Sequence, residues 1–120
     1  MAPNGQERRR FIRLEVPLKM SFVVEGEQII RSETAKDISA LGTRFQTKQK
    51  LDENKALEMK LELPDTPNPV HVKGKVAWVR KAGLEDGAPQ EVGIEFIKIE
   101  EDNKNTLLKY LCDTIYKQSQ

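Results

Sequence analysis

Two short segments hold the residues whose types and spacing suit ligand chemistry. The first is Arg8-Arg9-Arg10-Phe11-Ile12-Arg13. A guanidinium is planar, permanently charged and carries a rigid fork of donors, which fits phosphate oxygens or the O6/N7 edge of guanine. Its flat face also stacks on a base. Arg9 and Arg13 bracket three residues just ahead of an apolar alternation, so one belongs to a leading arm and the other to its anchor. The second segment is Asp37-Ile38-Ser39-Ala40-Leu41-Gly42. A carboxylate accepts from guanine N1–H and N2–H together, and a serine hydroxyl reaches a phosphate oxygen or caps a turn. Gly42 allows positive φ or a close approach of backbone to ligand.

Each segment also has a plainer reading. The arginines fit solubilising charges on a disordered tail, or a generic nucleic-acid or membrane patch. Four Phe, two Tyr and one Trp are few aromatics for a stacking surface. Asp37 and Ser39 fit an ordinary Asx or Ser turn at a strand junction. Read together the segments are complementary, because one offers cationic forks for acceptors and the other an acceptor pair for donors. Between Arg13 and Asp37 lie 23 residues, so a fold has to bring them together.

The elements that must do this are legible in the periodicity. Residues 1–10 are polar, contain Pro3 and Gly5, and read as a flexible basic arm. From residue 11 to residue 117 the chain reads as one domain. Leu14, Val16, Leu18, Met20, Phe22 and Val24 alternate as a half-buried strand does. Pro17 has no ladder donor and sets the start of this strand at an edge or bulge. Gly26 supplies a turn before a second strand near residues 29–36. Thr43, Phe45 and Thr47 resume the pattern after the Asp37–Gly42 break. Leu57, Met59, Leu61 and Leu63 follow, then Val70, Val72, Val76 and Trp78 with Gly74 in the series, and finally Val92, Ile94 and Phe96. The period then changes. Leu107, Leu108, Leu111, Cys112 and Ile115 fit an apolar helical stripe over about 102–117, with Asp102 or Asn103 as its cap. About six short strands and one C-terminal helix predict a mainly all-β fold. Its strands form a six-stranded antiparallel β-barrel, with the helix over an opening or against the side.

Composition bounds the function. The chain has 120 residues, enough for one domain, and 38% hydrophobic with 32% charged residues is ordinary for a folded protein. The formal net charge of +1 says little, but residues 1–20 carry five cations against two glutamates. No apolar run approaches a membrane span, and no secretory signal precedes the arginines, so a cytoplasmic protein without membrane insertion is expected. The single Cys112 falls on the helical stripe and reads as a buried structural thiol. His71, the only histidine, has opposite parity to Val70 and Val72 and reads as solvated. Asp52-Glu53 and Glu85-Asp86 read as solvated turns. With no acid–base pair, activated nucleophile or converging metal ligands, an enzyme is not expected.

In these two motifs the sequence resembles the PilZ domain family of bacterial cyclic di-GMP receptors, whose pattern is RxxxR followed by (D/N)xSxxG. Both are complete here, as Arg9–Arg13 and Asp37–Gly42. Pro17, Phe45, Val76-Ala77-Trp78-Val79 and Gly93-Ile94-Glu95-Phe96 extend the likeness to nearly the whole chain. The resemblance implies a six-stranded barrel with a C-terminal helix, clasping a folded-back cyclic di-GMP under the N-terminal arm. It gives Arg9 and Arg13 contacts to guanine edges and phosphates, and Asp37 the guanine Watson–Crick edge. Ser39 would meet phosphate or guanine, and Gly42 would permit the turn. Arg8 and Arg10 join the ligand set. Arg8, just before the motif, leans towards an intercalated ligand pair. It implies no other cofactor, and an output through an unidentified protein effector in motility, pilus assembly or polysaccharide export. The main alternative is a protein–protein adaptor of motility or pilus assembly that needs no nucleotide. A weaker one is an RNA- or DNA-binding barrel, and no nucleic-acid partner is expected.

Overall fold

The computed structural model describes residues 13–118. Arg8, Arg9 and Arg10, and the expected arm, lie outside these residues. Six strands run β1 Leu18–Val24, β2 Arg31–Ile38, β3 Gly42–Thr47, β4 Ala56–Leu61, β5 Val70–Lys81 and β6 Gln90–Lys98, followed by helix α1 Glu101–Gln118. Every pairing is antiparallel, and the order β1-β2-β3-β6-β5-β4 closes on itself as a barrel. Closure leaves no edge strand exposed. The mainly all-β barrel with a C-terminal helix agrees with the periodicity.

The alternation of β1 translates directly into burial: Leu18, Met20, Phe22 and Val24 point into the barrel and are buried. They meet Leu57, Met59 and Leu61 of β4 and Val70, Val72 and Val76 of β5. Phe22 and Phe45 pack with ring centroids 5.5 Å apart, tilted by 44°. Burying each such side chain contributes about 1.5–3 kcal/mol. Helix α1 lies against β5 and sends Leu107 and Leu111 into the same core.

Several boundaries differ from the sequence reading, each for a local reason. The first strand begins at Leu18, not Leu14, because Pro17 interrupts the ladder. Leu14 instead makes an isolated antiparallel bridge to Ile38, with hydrogen bonds of 2.8 and 3.0 Å. The second strand is shifted towards the C-terminus, to Arg31–Ile38. Cys112 is exposed, not buried, because the helix buries only the narrow Leu107–Leu111 line. Asn103 does not cap the helix. Its Oδ1 accepts from the His71 backbone N–H at 3.0 Å and pins the helix to the start of β5. His71 itself is exposed.

Candidate functional site

Register fixes the site. Across the barrel wall Asp37 of β2 stands opposite Arg44 of β3, Arg44 opposite Gly93 of β6, and Gly93 opposite Trp78 of β5. Two bulges put the ends of this row on the outer wall. Between Ala35 and Asp37 the pairing with β3 slips by one, so Lys36 is the extra residue. Without it Asp37 would share the inward parity of Ala35. A second slip, between Val76 and Trp78, makes Ala77 the extra residue. That bulge overturns the sequence expectation that Trp78 continues the inward Val70–Val76 series. It turns the indole outward, 36% exposed. A one-residue slip flips every later side chain to the other face.

The Asp37–Gly42 turn is built around Ser39. Its Oγ accepts from the backbone N–H groups of Leu41 and Gly42, both at 3.2 Å, and donates to the Gly42 carbonyl at 3.4 Å. One donor and two acceptor sites are the whole capacity of a hydroxyl, so Ser39 is spent inside the turn. Gly42 is needed for close approach, since it lacks positive φ and a Cβ there would strike the Ile94 carbonyl oxygen of β6. The approach is to backbone, within the barrel wall. Thr43 Oγ1 donates to the Asp37 carbonyl at 2.6 Å and locks the strand end.

The same architecture places Arg13. The Leu14–Ile38 bridge runs the incoming chain beside Asp37, and Arg13 Nη1 stands 3.8 Å from Asp37 Oδ2. Arg44 Nη2 lies 3.0 Å from the same oxygen. Asp37 is 0% exposed, yet neither of its carboxylate oxygens accepts a hydrogen bond among the described residues. A buried carboxylate costs several kcal/mol in desolvation, and among the described residues Arg13 and Arg44 are the charges that offset it.

Beyond Arg44 the charges continue along the wall. Glu91 of β6, 7% exposed, accepts through Oε1 from Arg80 Nε at 3.1 Å, and Lys36 Nζ is 3.5 Å from its Oε2. Arg44 Nη1 is 4.0 Å from Glu91 Oε1. Burial pushes the Glu91 carboxyl up, but the Arg80 hydrogen bond and charge, with the Arg44 charge and the Lys36 bond, outweigh it and hold the group below its ordinary value. Arg80 also sits over Trp78, its guanidinium carbon 5.3 Å from the ring centroid. The indole rests against Gly93, in the space a Cβ would fill.

A groove of about 210 Å³ runs over this wall, lined by Arg13, Leu41, Arg44, Trp78 and Gly93 among others. Small-molecule sites hold roughly 300–1,000 Å³, so the groove takes part of such a ligand. Arg13, Asp37, Ser39 and Gly42 are brought together as their spacing suggested. Arg44, Trp78, Glu91 and Arg80 were not singled out as site residues. Arg44 had a signal, two positions after Gly42 with outward parity, but an outward strand arginine is ordinarily just solvated.

The fold and the wall define a small closed-barrel binding domain whose candidate site lies outside the barrel. The sequence matches the PilZ domain model over residues 7–112, and the chain belongs to the PilZ domain family. Among solved structures it is similar to the Bacillus subtilis inhibitor of motility MotI/DgrA, with TM-score 0.77 and 16% identity, covering 100% of this chain and 59% of that one. The MrkH–c-di-GMP complex of K. pneumonia gives TM-score 0.76 and 20% identity, over 94% of this chain and 54% of MrkH. The PilZ domain of YcgR from Escherichia coli with c-di-GMP gives 0.70 and 13%, over 93% and 94%. The chain thus spans little more than half the length of MotI and MrkH. At these identities the likeness establishes the fold. No curated protein sequence matches the chain. Among the described residues, no helix is long and apolar enough to cross a membrane, and no group of metal-ligating side chains converges.

Proposed function

We propose that this chain is a cyclic di-GMP receptor that passes the signal to a partner protein and carries out no catalysis itself. The observation that carries the reading is Asp37: a wholly buried carboxylate, flanked by two arginines at Oδ2, neither of whose oxygens accepts a hydrogen bond among the described residues. Guanine N1–H and N2–H supply two parallel donors of the kind such a pair accepts. Two PilZ-fold relatives solved with c-di-GMP support the choice of ligand. In this account Arg13, with Arg8, Arg9 and Arg10, engages phosphates and guanine acceptor edges. Trp78 and Leu41 give the ligand an apolar floor. Ser39 and Gly42 act through the turn that presents Asp37.

The groove is too small to enclose a dinucleotide, so the arm of residues 1–10 completes the site by closing over the ligand. Each charge-assisted bond contributes about 1.5–3 kcal/mol, and ordering each arm residue costs about 1–2 kcal/mol. The terms nearly cancel, so affinity is moderate and steeply dependent on the arginines. The ordered arm is the surface offered to the partner, in motility or a related cytoplasmic process. Calorimetric titration of cyclic di-GMP into the wild type, Arg13→Ala and Asp37→Ala tests this. Saturable wild-type binding lost in both variants is expected. No wild-type heat at several temperatures, with amide spectra unchanged by excess ligand, leaves a nucleotide-independent adaptor.

A further inference from the structure

Arg44 is shared between two carboxylates. Its Nη2 is 3.0 Å from Asp37 Oδ2 and its Nη1 is 4.0 Å from Glu91 Oε1. If the ligand is to donate to both oxygens of Asp37, Arg44 stands on one of them. A cation displaced from a buried carboxylate needs another counter-charge close by. Glu91 supplies one on the neighbouring strand, buried and already fixed by Arg80 and Lys36.

We propose that Glu91 is a positioning residue of the binding site, which receives Arg44 when the ligand takes Asp37. The arginine then exchanges one carboxylate for another and is not expelled into solvent. The inference rests on the cyclic di-GMP reading and adds to it a residue that does not touch the ligand.

Removing the Glu91 charge has two opposed consequences. It makes the wall more positive, which attracts a dianion from a distance. It also leaves Asp37 as the remaining carboxylate near Arg44 among the described residues, which tightens the contact the ligand must open. The first effect runs through solvent and fades with salt, since the Debye length is about 8 Å at physiological ionic strength and shorter above it. The second lies under the surface and persists. Lys36 and Arg80 are 43% and 66% exposed in their side chains and regain water once Glu91 is neutral, so Glu91→Gln is expected to fold.

The test is a double-mutant cycle read by calorimetry with cyclic di-GMP at about 0.3 M salt, where long-range attraction is screened. Wild type, Glu91→Gln, Arg44→Gln and the double variant are compared. Glu91→Gln is expected to weaken binding about tenfold in the wild-type background and by less than about twofold once Arg44 is glutamine. Equal loss in both backgrounds, or none in the first, overturns the proposal. The Arg44 Nε–Hε resonance of the ligand-free protein should also move in Glu91→Gln, and an unmoved resonance overturns it too. A wild type that takes up no cyclic di-GMP overturns the functional reading and this proposal with it. A binding wild type without Arg44–Glu91 coupling overturns the proposal alone.

Discussion

Arg44 and Asp37 face each other across the β2–β3 ladder as an ion pair, with Arg44 Nη2 3.0 Å from Asp37 Oδ2. Neither oxygen accepts a hydrogen bond among the described residues, although the side chain is 0% exposed. The Lys36 bulge is what allows this, since it turns Asp37 out of the apolar core and under the two arginines. A carboxylate so placed lies beside two cations with acceptor capacity for donors from a ligand.

The first consequence is a graded response at Asp37. Asp37→Ala removes both acceptors and should weaken cyclic di-GMP binding by at least about 100-fold. Asp37→Asn keeps one acceptor and should lose about tenfold, because hydrogen bonds to charged groups contribute about 1.5–3 kcal/mol. Calorimetry on both variants, with circular dichroism to show the barrel intact, checks the order.

Gly42→Ala should damage the fold before it damages binding. The added Cβ meets the Ile94 carbonyl oxygen, a backbone atom with little freedom to yield. Overpacking of this kind costs about 1–3 kcal/mol, and a melting temperature lower by several degrees is expected. An unchanged melting temperature would mean that β3 and β6 separate without strain there.

Gly93→Ala should act on the groove. Its Cβ would occupy the space of the Trp78 indole, which is at the surface and free to swing out. Trp78 is the only tryptophan, so its fluorescence reports the displacement directly. A red-shifted emission with weakened ligand binding and a small stability loss is the expected set.

These variants also show how far the residues alone reach. The alternation in β1 and β4 was legible because burial follows parity there, and the change of period marked α1. The turn from Asp37 to Gly42 was legible from its residue types. The outward placement of Trp78 was hidden, because the Ala77 bulge leaves no local mark and parity puts the indole with Val76. Glu91 was hidden for a different reason. Its partners Lys36, Arg44 and Arg80 come from three other strands, and only the closed register brings them together. Cys112 was misread because a helix lying across a small barrel buries a narrower stripe than its apolar pattern suggests.

Acid stability should carry the signature of Glu91. Its folded pKa lies below the ordinary 4.5, so the folded state binds the proton more weakly than the unfolded chain does. The resulting stabilisation is fully present above that ordinary value and is lost as pH falls through the lower folded one. Urea unfolding of wild type and Glu91→Gln across pH should therefore show a constant difference near neutrality that shrinks in acid. A difference independent of pH would assign the effect to packing.

The central claim is that this wall recognises a guanine dinucleotide, and parallel titrations with cyclic di-GMP and cyclic di-AMP test it most directly. Adenine does not present the paired N1–H and N2–H donors that Asp37 would accept, while the phosphates of the two ligands are alike. Saturable binding of cyclic di-GMP with at least about 100-fold weaker binding of cyclic di-AMP is the expected result, since a site built for specific donors rejects analogues lacking them. Equal binding of the two would reduce the site to a phosphate-binding basic patch, and binding of neither would contradict the receptor account.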